Sequence, residues 1–576
     1  MTNPENEPLE LQPPGQPAAG DSQPASQDNA SQDGASQDGG GVSERVLRAE
    51  IQKRRTFAII SHPDAGKTTL TEKLLLYSGR VMEAGAVRGR KSQRAVTSDW
   101  MAMERERGIS ITSTVLTFEH RGQRMNLLDT PGHEDFSEDT YRTLTAADCA
   151  VMVIDAVKGI EAQTEKLFRI CAARKIPIVT FVNKLDRPGC EPLATLGHLE
   201  EVLGMAAVPL NWPIGTGRDF QGVYDRAAEQ VLLFESVTRG AVRVPTTRAT
   251  LEDACERLLS PERAAQLRED VELLDGACEP FDHERFLKGE ITPVFFGSAL
   301  SNFGVEPFLE SFLDISPPPG PRNSDQGEVP PDKPEFAGVV FKIQANLDPR
   351  HRDRVAYVRV CAGRFARDME VLLARTGEKI RIKRSHRVFA AGRETMDEAW
   401  PGDIIGLVNP GQFRLGDTLC EGAPLQYDGQ WQFPPECFAT LRCNDTSRRK
   451  QFSRGVSQLI EEGAIQVLAD PQAMFREPVL AAVGELQFDV VQYRLESEYG
   501  TETTLHRLPY EVARWVTGSP QDLAAIKLPS AARMLQDQDG SPVALFQSQW
   551  NLNYCCEMNP SLQFHEIPGQ GADEQN

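Results

Sequence analysis

The sequence predicts a multidomain protein in which an α/β domain with a doubly wound, mostly parallel sheet is followed by a β-barrel domain and an α+β domain. The length of 576 residues allows roughly three to five domains. From residue 55 to about 315, short apolar runs alternate with amphipathic helices, which is typical of a parallel sheet. A proline-rich segment then separates this part from a stretch of short strands and close turns.

The chain begins with a predicted disordered acidic tail, residues 1–45. Residues 1–43 carry seven negative charges, no Lys or Arg, and three copies of Ala-Ser-Gln-Asp, at 25–28, 30–33 and 35–38. Such a segment cannot bury enough apolar surface to offset the entropy lost on ordering. We therefore expect no packed core in this part of the chain.

The α/β domain is predicted over residues 50–320. Strands are expected at the apolar runs 57–60, 125–128, 150–154, 178–182 and 294–296. Amphipathic helices are expected between them, at 68–77, 162–174 and 306–313. Residues 200–290 interrupt this alternation with charged, helical sequence, which predicts an insertion within the domain.

The second half of the chain is predicted to hold smaller domains. The run at 316–321 (SPPPGP) and the polar residues after it predict a linker over 321–334. Alternating apolar residues and closely spaced turns predict a β-barrel domain over 335–430. Helical and strand-like segments then predict an α+β domain over 435–540. Residues 541–576 carry weak signals and are assigned only as a C-terminal extension.

The composition excludes several classes of protein. With 40% hydrophobic and 25% charged residues, the chain resembles soluble globular proteins. No run reaches the roughly 18 apolar residues of a membrane helix, and the N-terminus lacks the features of a secretory signal. The 11 cysteines are scattered without CxxC spacing, which favours reduced thiols in the cytoplasm. A net charge of −21 argues against general binding of nucleic acid, including DNA.

The segment Ser61-His62-Pro63-Asp64-Ala65-Gly66-Lys67-Thr68-Thr69 follows the first predicted strand and opens a helix, as a phosphate-binding loop does. In such a loop, backbone N–H groups and the helix N-terminus hold phosphates. Lys67 would reach the β- and γ-phosphates, and the Thr68 hydroxyl would ligate Mg²⁺. Ser61 stands where the general pattern has glycine, so this segment alone also fits an ordinary loop.

The segment Asp129-Thr130-Pro131-Gly132-His133 closes the predicted strand at 125–128. An acid at the end of a strand that faces a phosphate-binding loop can hold Mg²⁺ through water, and the Gly132 amide can contact a γ-phosphate. A plain Pro-Gly turn is the alternative interpretation of this segment by itself.

Two further loops carry groups that could bind a guanine base. Asn183-Lys184-Leu185-Asp186 follows the apolar strand that ends at Val182, and the Asp186 carboxylate could accept hydrogen bonds from guanine N1–H and its exocyclic amine. The backbone amides of Ser298-Ala299, after the strand at 294–296, could meet the guanine oxygen. Each loop alone is a weak signal, but four such loops in this order at strand ends predict a P-loop GTPase domain.

Several segments resemble those of translational GTPases. The segment Arg107-Gly108-Ile109-Ser110-Ile111-Thr112 is similar to their switch I, and residues 129–133 are similar to their switch II. The narrower resemblance is to the bacterial class II peptide chain release factors, the release factor 3 family, related to elongation factor G. Residues 61–69, 98–101, 107–112, 127–146, 289–297, 341–358 and 487–491 carry it, and it spans about 50 to 520. Ser61 fits this family.

The resemblance implies roles for individual residues. His133 would position the attacking water, and Pro63 and Ile109 would form an apolar gate beside it. Ser110, or alternatively Thr112, would join Thr68 as a Mg²⁺ ligand, with Asp129 acting through water. Asp64 would help to bind a monovalent cation near the phosphates. The implied α+β domain is ferredoxin-like.

The implied function is a ribosome-dependent GTPase of translation termination, which expels class I release factors after peptide release without reading the stop codon. GTP, Mg²⁺ and the ribosome are the implied substrate, metal and partner of a cytoplasmic monomer that binds neither membrane nor DNA. Basic clusters at 88–94, 379–387 and 448–450 are candidate contacts for ribosomal RNA. Two alternatives stay open: an elongation factor G-like translocation GTPase and a non-hydrolysing GTP-binding regulatory module.

Overall fold

The computed structural model describes residues 43–79, 103–104, 110–235, 243–345, 354–383, 385–388, 393–409, 411–429, 432–470 and 477–567. The predicted tail up to residue 42, the switch I residues 107–109 with the gate residue Ile109, and the basic cluster at 88–94 lie outside these ranges. Within the described ranges, no helix combines the length and the apolar character that crossing a membrane requires.

The first domain contains strands and helices in alternation. Its strands are β1 (Arg54–Ser61), β2 (Thr114–His120), β3 (Gln123–Asp129), β4 (Cys149–Asp155), β5 (Ile178–Asn183), β6 (Ala206–Pro209), β7 (Asn211–Ile214), β8 (Gly222–Asp225), β9 (Gln230–Phe234), β10 (Thr246–Thr250) and β11 (Ile291–Phe296). Its helices are α1 (Glu44–Gln52), α2 (Lys67–Tyr77), α3 (Ser137–Thr145), α4 (Ala162–Ala173), α5 (Pro192–Leu203), α6 (Pro261–Ala277), α7 (His283–Leu287) and α8 (Val305–Ile315).

The central sheet has the strand order β2-β3-β1-β4-β5-β11-β6 among the described residues. Neighbouring strands are parallel except β2 and β3, so the predicted mostly parallel sheet is confirmed. Alternate residues of β1 enter opposite cores: Ala58 and Ile60 lie in one, Phe57 and Ile59 in the other. Because helices cover both faces, these strands appear in the sequence as continuous apolar runs.

Residues 206–287 differ from the charged helical insertion that the sequence predicts. β6 pairs with β11 at the edge of the central sheet, and β7–β10 form a separate antiparallel sheet. Apart from the single helical turn Gly217–Asp219, helical structure begins with the turns Leu251–Asp253 and Ala254–Leu258 and continues through α6 and α7. The prediction is wrong for the strands β6–β10, because they are only four or five residues long and lie between charged turns.

The predicted linker contains structure of its own. β12 (Arg322–Ser324) and β13 (Gly327–Val329) form a hairpin within it. Val329 packs in a small apolar core with Cys361 and Tyr427 of the next domain. Burial of the Val329 side chain holds this segment against the next domain, whereas its composition predicts only a linker.

The second domain is barrel-like, as predicted. Its strands are β14 (Ala337–Ala345), β15 (Arg354–Ala362), β16 (Phe365–Ala366), β17 (Glu370–Leu373), β18 (Glu378–Arg381), β19 (Ser385–Val388), β20 (Arg393–Thr395), β21 (Glu398–Ala399), β22 (Ile404–Asn409) and β23 (Thr418–Cys420). Among the described strands, one antiparallel sheet has the order β18-β17-β23-β14-β15-β22-β19-β20, and β16 pairs with β21. Val371 of β17 and Ile405 of β22 share one core, which shows that the sheet curls.

The third domain has a ferredoxin-like order of elements. These are β24 (Cys437–Cys443), α9 (Arg449–Glu461), β25 (Gln466–Leu468), β26 (Val479–Ala482), α10 (Glu485–Tyr499) and β27 (Thr503–Arg507). The antiparallel sheet has the order β25-β26-β24-β27 among the described residues. Phe452 and Leu459 of α9 share a core with Phe488 of α10, so both helices cover one face of the sheet.

The described residues from 512 to 565 form a further sheet, so the part predicted as a C-terminal extension belongs to a folded unit. Its elements are β28 (Val512–Thr517), α11 (Pro520–Ala524), β29 (Arg533–Gln536), β30 (Pro542–Phe546), α12 (Gln549–Met558) and β31 (Gln563–His565). The order is β29-β30-β28-β31 in the described part of the chain. The predicted boundary at 540 is wrong, because it falls in the turn between the paired strands β29 and β30.

Buried polar contacts join the first domain to the barrel. The Gly402 carbonyl oxygen accepts hydrogen bonds from Thr56 Oγ1 at 2.7 Å and from Arg359 Nη1 at 2.8 Å. The Asp403 carboxylate accepts one from Arg54 Nε at 2.8 Å, and both of these side chains are less than 5% exposed. Removing one partner of such a pair leaves the other charge buried without compensation.

We therefore expect Asp403→Ala to lower the free energy of unfolding by about 3–5 kcal/mol, measured by urea denaturation. The matched control is Asp397→Ala, which removes a carboxylate that is 70% exposed and 2.7 Å from Arg367. Solvent screens that pair, so the control should lose no more than about 1 kcal/mol. Equal losses in the two variants would show that the buried pair does not hold the domains together.

Candidate active site

The first site loop joins β1 to α2 and contains two residues in the left-handed region. Asp64 has φ 67° and Gly66 has φ 98°. The Leu70 amide donates to the Gly66 carbonyl oxygen at 2.9 Å, which is the first hydrogen bond of α2. The amides of residues 67–69 precede that bond and have no carbonyl group of the helix to donate to. The loop thus presents several N–H groups at a helix N-terminus, an arrangement that binds phosphate.

The Asn183 carboxamide connects this loop to two others. Its Nδ2 donates to the Ala65 carbonyl oxygen at 2.8 Å, and its Oδ1 accepts from the Ala299 amide at 2.9 Å and from the Lys184 amide at 2.8 Å. A Cβ atom on Gly66 would lie 2.3 Å from Asn183 Nδ2. The close approach of the two loops therefore requires glycine at position 66.

Lys184 makes a second connection between the same loops. Its ammonium group donates to the Asp64 carbonyl oxygen and, at 2.7 Å, to Asp155 Oδ2 at the end of β4. The Asp155 side chain is 1% exposed, and burial raises its pKa, but the hydrogen bond from Lys184 and backbone amides hold that pKa below its usual value. Sequence reasoning missed Asp155, although its position at a strand end was a usable signal.

Lys67 and Asp129 meet where the phosphate-binding loop faces the end of β3. Lys67 Nζ donates to Asp129 Oδ1 at 2.6 Å, and both side chains are buried. Asp129 Oδ2 is also buried, and it has no hydrogen-bond partner among the described residues. A buried carboxylate oxygen without a protein partner fits a Mg²⁺ site that is reached through water.

The guanine-binding candidates lie together at the next strand ends. Ser298 Oγ donates to Asp186 Oδ1 at 2.6 Å, and the Leu185 amide donates to the Gly297 carbonyl oxygen at 3.2 Å. The sequence predicts that the Ser298 and Ala299 backbone amides contact the base. In the structure, both amides donate to protein groups instead. The Ser298 amide donates to the Phe303 carbonyl oxygen at 2.9 Å, and the Ala299 amide donates to Asn183. Both amides hold the loop in shape, so Asp186 is the stronger candidate for reading the base.

The segment after β3 places His133 beside the phosphate-binding loop. A Cβ atom on Gly132 would lie 3.4 Å from the Pro63 backbone nitrogen, so these two loops touch. Thr130 Oγ1 donates to the Ile59 carbonyl oxygen at 2.8 Å, which ties Pro131 and its neighbours to β1. The His133 side chain is 31% exposed. In the chain, His133 immediately precedes the short helical turn Glu134–Phe136.

His62 lies in the phosphate-binding loop and is buried. Its Nδ1 is 2.5 Å from Glu161 Oε2, and its Nε2 has no hydrogen-bond partner among the described residues. Burial lowers the pKa of His62, and the Glu161 carboxylate opposes that effect only in part. We therefore expect His62 to be neutral at pH 7, so that Lys67 supplies the positive charge at this end of the site.

Ser110 and Thr112 lie at the described end of switch I. The Thr112 amide donates to Glu104 Oε1 at 3.2 Å, and the next residue, Ser113, donates its amide to Asp139 Oδ2 of α3 at 2.6 Å. Burial raises the Asp139 pKa, but Lys342 of the barrel, Arg142 and the hydrogen bonds from Ser113 together hold that pKa below its usual value. The carboxylate therefore stays charged and anchors this segment.

The described site residues thus converge at the carboxyl ends of β1, β3, β4, β5 and β11. The phosphate-binding loop, the switch II segment 129–133 and the two guanine-binding loops touch one another directly. This is the edge at which open α/β sheets bind ligands.

Comparison with known protein families gives three matches along the chain. The family described as "Elongation factor Tu GTP binding domain" matches residues 52–318, and "Elongation factor G domain 2" matches 335–422. "Class II release factor RF3, C-terminal domain" matches residues 427–556. The three matches follow the order of the α/β, barrel-like and C-terminal parts.

Similar proteins cover nearly the whole chain. The peptide chain release factor 3 of Gloeobacter violaceus is 56% identical over 528 residues, which cover 91% of this chain and 99% of the relative. The protein of the same name from Cyanothece sp. is 54% identical and covers 90% and 96%. A crystal structure from Thermus thermophilus is 22% identical, with a TM-score of 0.63 over 81% of this chain and 71% of that one, and shows the same fold.

The contact between Gly66 and Asn183 predicts the outcome of Gly66→Ala. We expect this substitution to separate the two loops and to raise the Kd for guanine nucleotides about tenfold or more, measured by calorimetry. The matched control is Gly79→Ala, since Gly79 has φ 78° and a Cβ atom there would meet nothing within 4 Å. The control should cost about 1 kcal/mol of stability and leave the Kd unchanged. Equal affinities in the two variants would contradict the packing requirement.

Proposed function

The chain belongs to the peptide chain release factor 3 family of translational GTPases, and on that premise we propose that it removes class I release factors from the ribosome after peptide release. It is a GTPase that acts in translation termination and hydrolyses GTP to GDP and phosphate. GTP-bound protein would bind the terminating ribosome and displace the class I factor, and hydrolysis would then release the protein itself. Neither the stop codon nor the peptidyl ester is its substrate.

The observation that carries this proposal is the convergence of four loops through the Asn183 carboxamide and the Lys67–Asp129 pair. The backbone amides of residues 67–69, the Lys67 ammonium group and the Asp186 carboxylate lie along one sheet edge, which supports the proposal that they bind phosphate and read the base. The match of residues 427–556 to the class II release factor domain supports termination rather than translocation. The retained His133 beside the phosphate-binding loop supports hydrolysis rather than nucleotide sensing alone.

The chemistry assigns a role to each loop. The amides of residues 64–69 and the Lys67 ammonium group would neutralise the β- and γ-phosphates, while Thr130, Pro131 and Gly132 would face the γ-phosphate. Mg²⁺, when bound, would offset the charge of the β- and γ-oxygens, held by Thr68, by Ser110 or Thr112, and by Asp129 through water. His133 would orient the attacking water, and Pro63 with Ile109 would shield it. Such catalysis is mainly positioning, so turnover depends on a partner that orders these groups.

The remaining assignments concern partners and place. The exposed Asp64 carboxylate would contribute to a monovalent cation site beside the phosphates. Residues 448–450 are exposed at the start of α9, which supports their proposed contact with ribosomal RNA phosphates. We infer a cytoplasmic monomer that meets the ribosome there, without a role for DNA or membranes.

Termination complexes that hold a labelled class I release factor test this function. Wild-type protein with GTP should accelerate loss of the label, whereas GDP should not. His133→Ala should still bind GTP and remove the label, but its ribosome-stimulated kcat should fall about 100-fold or more because the water is no longer positioned. The variant should therefore remain on the ribosome, as wild-type protein does with a non-hydrolysable GTP analogue.

Two results would contradict these assignments separately. Failure of the wild-type protein to release the label, with ribosome-stimulated GTPase activity intact, would reject recycling and direct attention to translocation. Wild-type turnover in His133→Ala would reject only the role of that side chain.

Base recognition by Asp186 predicts a change of nucleotide preference. Asp186→Asn replaces an acceptor by a donor, so GTP should bind about 100-fold or more weakly, and xanthosine triphosphate should bind better than GTP. Competition binding with GTP, ATP and xanthosine triphosphate measures this, with wild-type protein as the control. An unchanged preference would assign recognition of the base to other groups.

A further inference from the structure

Asp135 lies two residues after His133 and contacts two structures at once. Its Oδ1 is 3.1 Å from His133 Nδ1. Its Oδ2 accepts a hydrogen bond from the Leu486 backbone amide, at 2.6 Å, in the first turn of α10 in the third domain. The carboxylate thus connects the proposed water-positioning side chain to a separate domain, 351 residues further along the chain.

In helix α10 the Gln487 side chain accepts from the Gly484 amide at 3.1 Å, but no N-cap side chain is present to accept from the amides of the first turn. Its N-cap residue is Gly484, and Leu486 occupies the second helical position, whose amide normally bonds to the N-cap side chain. The Asp135 carboxylate, which belongs to the first domain, accepts the hydrogen bond that an N-cap side chain would otherwise accept. Its negative charge is favourable at a helix N-terminus. A Cβ atom on Gly484 would lie 2.2 Å from Asp135 Cγ, so only glycine lets the carboxylate reach the helix end.

Apolar side chains surround this contact. Ile111 of switch I and Phe136, next to Asp135, form a buried cluster with Val490 of α10, and Leu486 and Tyr493 pack against it. Switch I, the turn after His133 and the third domain therefore share one small core. A displacement of α10 would act on both switch segments through this cluster and through Asp135.

We propose that Asp135 is a positioning residue for GTP hydrolysis. One carboxylate oxygen, Oδ1, orients the His133 ring, while the docked third domain holds the other oxygen, Oδ2. The inference rests on the role proposed above for His133. With a proton on Nδ1, the ring donates to Asp135 Oδ1 and Nε2 is left as an acceptor. Without that proton, Nδ1 can accept from the Asp135 amide, which lies 3.3 Å away. The carboxylate favours the first state, because it can only accept.

Domain docking then controls the histidine. When α10 occupies its observed place, the carboxylate is held at both oxygens and the ring has one orientation. If α10 moved away, Asp135 would lose its second partner and the ring would gain freedom. The position of the third domain on the ribosome thereby sets the geometry at the reacting water.

Asp135→Asn separates positioning from simple capping. Asparagine still offers an acceptor to the Leu486 amide, so a residue that only caps α10 would tolerate it. Its amide nitrogen, however, donates toward Nδ1 and moves the ring proton to Nε2. We expect Asp135→Asn and Asp135→Ala to lower ribosome-stimulated kcat about tenfold or more, with KM for GTP and affinity for GDP within about twofold of wild type.

Gly484→Ala tests the same contact from the third domain. Its Cβ atom would push Asp135 aside, so kcat should fall as in Asp135→Ala. The double variant should be no slower than the slower single variant, because both changes break one connection. Gly197→Ala, where a Cβ atom would meet nothing within 4 Å, is the matched control and should have wild-type kcat.

The outcomes are distinct. Wild-type kcat in Asp135→Asn, or losses that multiply in the double variant, would overturn the inference and leave Asp135 as a helix cap. If His133→Ala also keeps wild-type kcat, the role proposed for His133 fails as well. If only His133→Ala is impaired, that role stands and the positioning by Asp135 does not.

Discussion

The nucleotide site depends on the carboxamide of Asn183. Its two polar atoms bond to the backbone of three loops, which begin in β1, β5 and β11. A side chain with only acceptors or only donors could not make this set of hydrogen bonds. The requirement extends to Gly66, because the donor atom reaches Ala65 only where no Cβ atom intervenes. The phosphate-binding and base-binding ends are therefore held at a fixed separation by one buried side chain.

The first domain is joined to its two neighbours in different ways. Its contact with the barrel includes buried charge pairs, Arg54 with Asp403 and Arg359 with Asp148 at 2.5 Å, which are costly to separate. Its contact with α10 near the active site consists of one carboxylate and a small apolar cluster. The first contact suits a fixed arrangement. The second can open at lower cost, and it is the one that touches both switch segments.

The sequence predicts most of this fold because the central strands are buried on both faces and the site motifs follow them directly. The strands β7–β10 are missed because they are only four or five residues long, and among them only β9 contains a continuous run of four apolar residues. The boundary at 540 is misplaced because pairing between β29 and β30 has no signature in composition. Asp135 is missed for a related reason: its partners, His133 and Leu486, come together only in three dimensions.

Ser61 shows how the structure explains a departure from a motif. It is the last residue of β1, pairs in register with Val153 of β4, and is 1% exposed. Its hydroxyl group donates to the His62 carbonyl oxygen at 2.9 Å, so the buried polar atom is satisfied locally. Because the backbone is extended at this position, glycine is not needed there. The conformational demand of the loop falls instead on Asp64 and Gly66, where the backbone turns into the left-handed region before α2 begins.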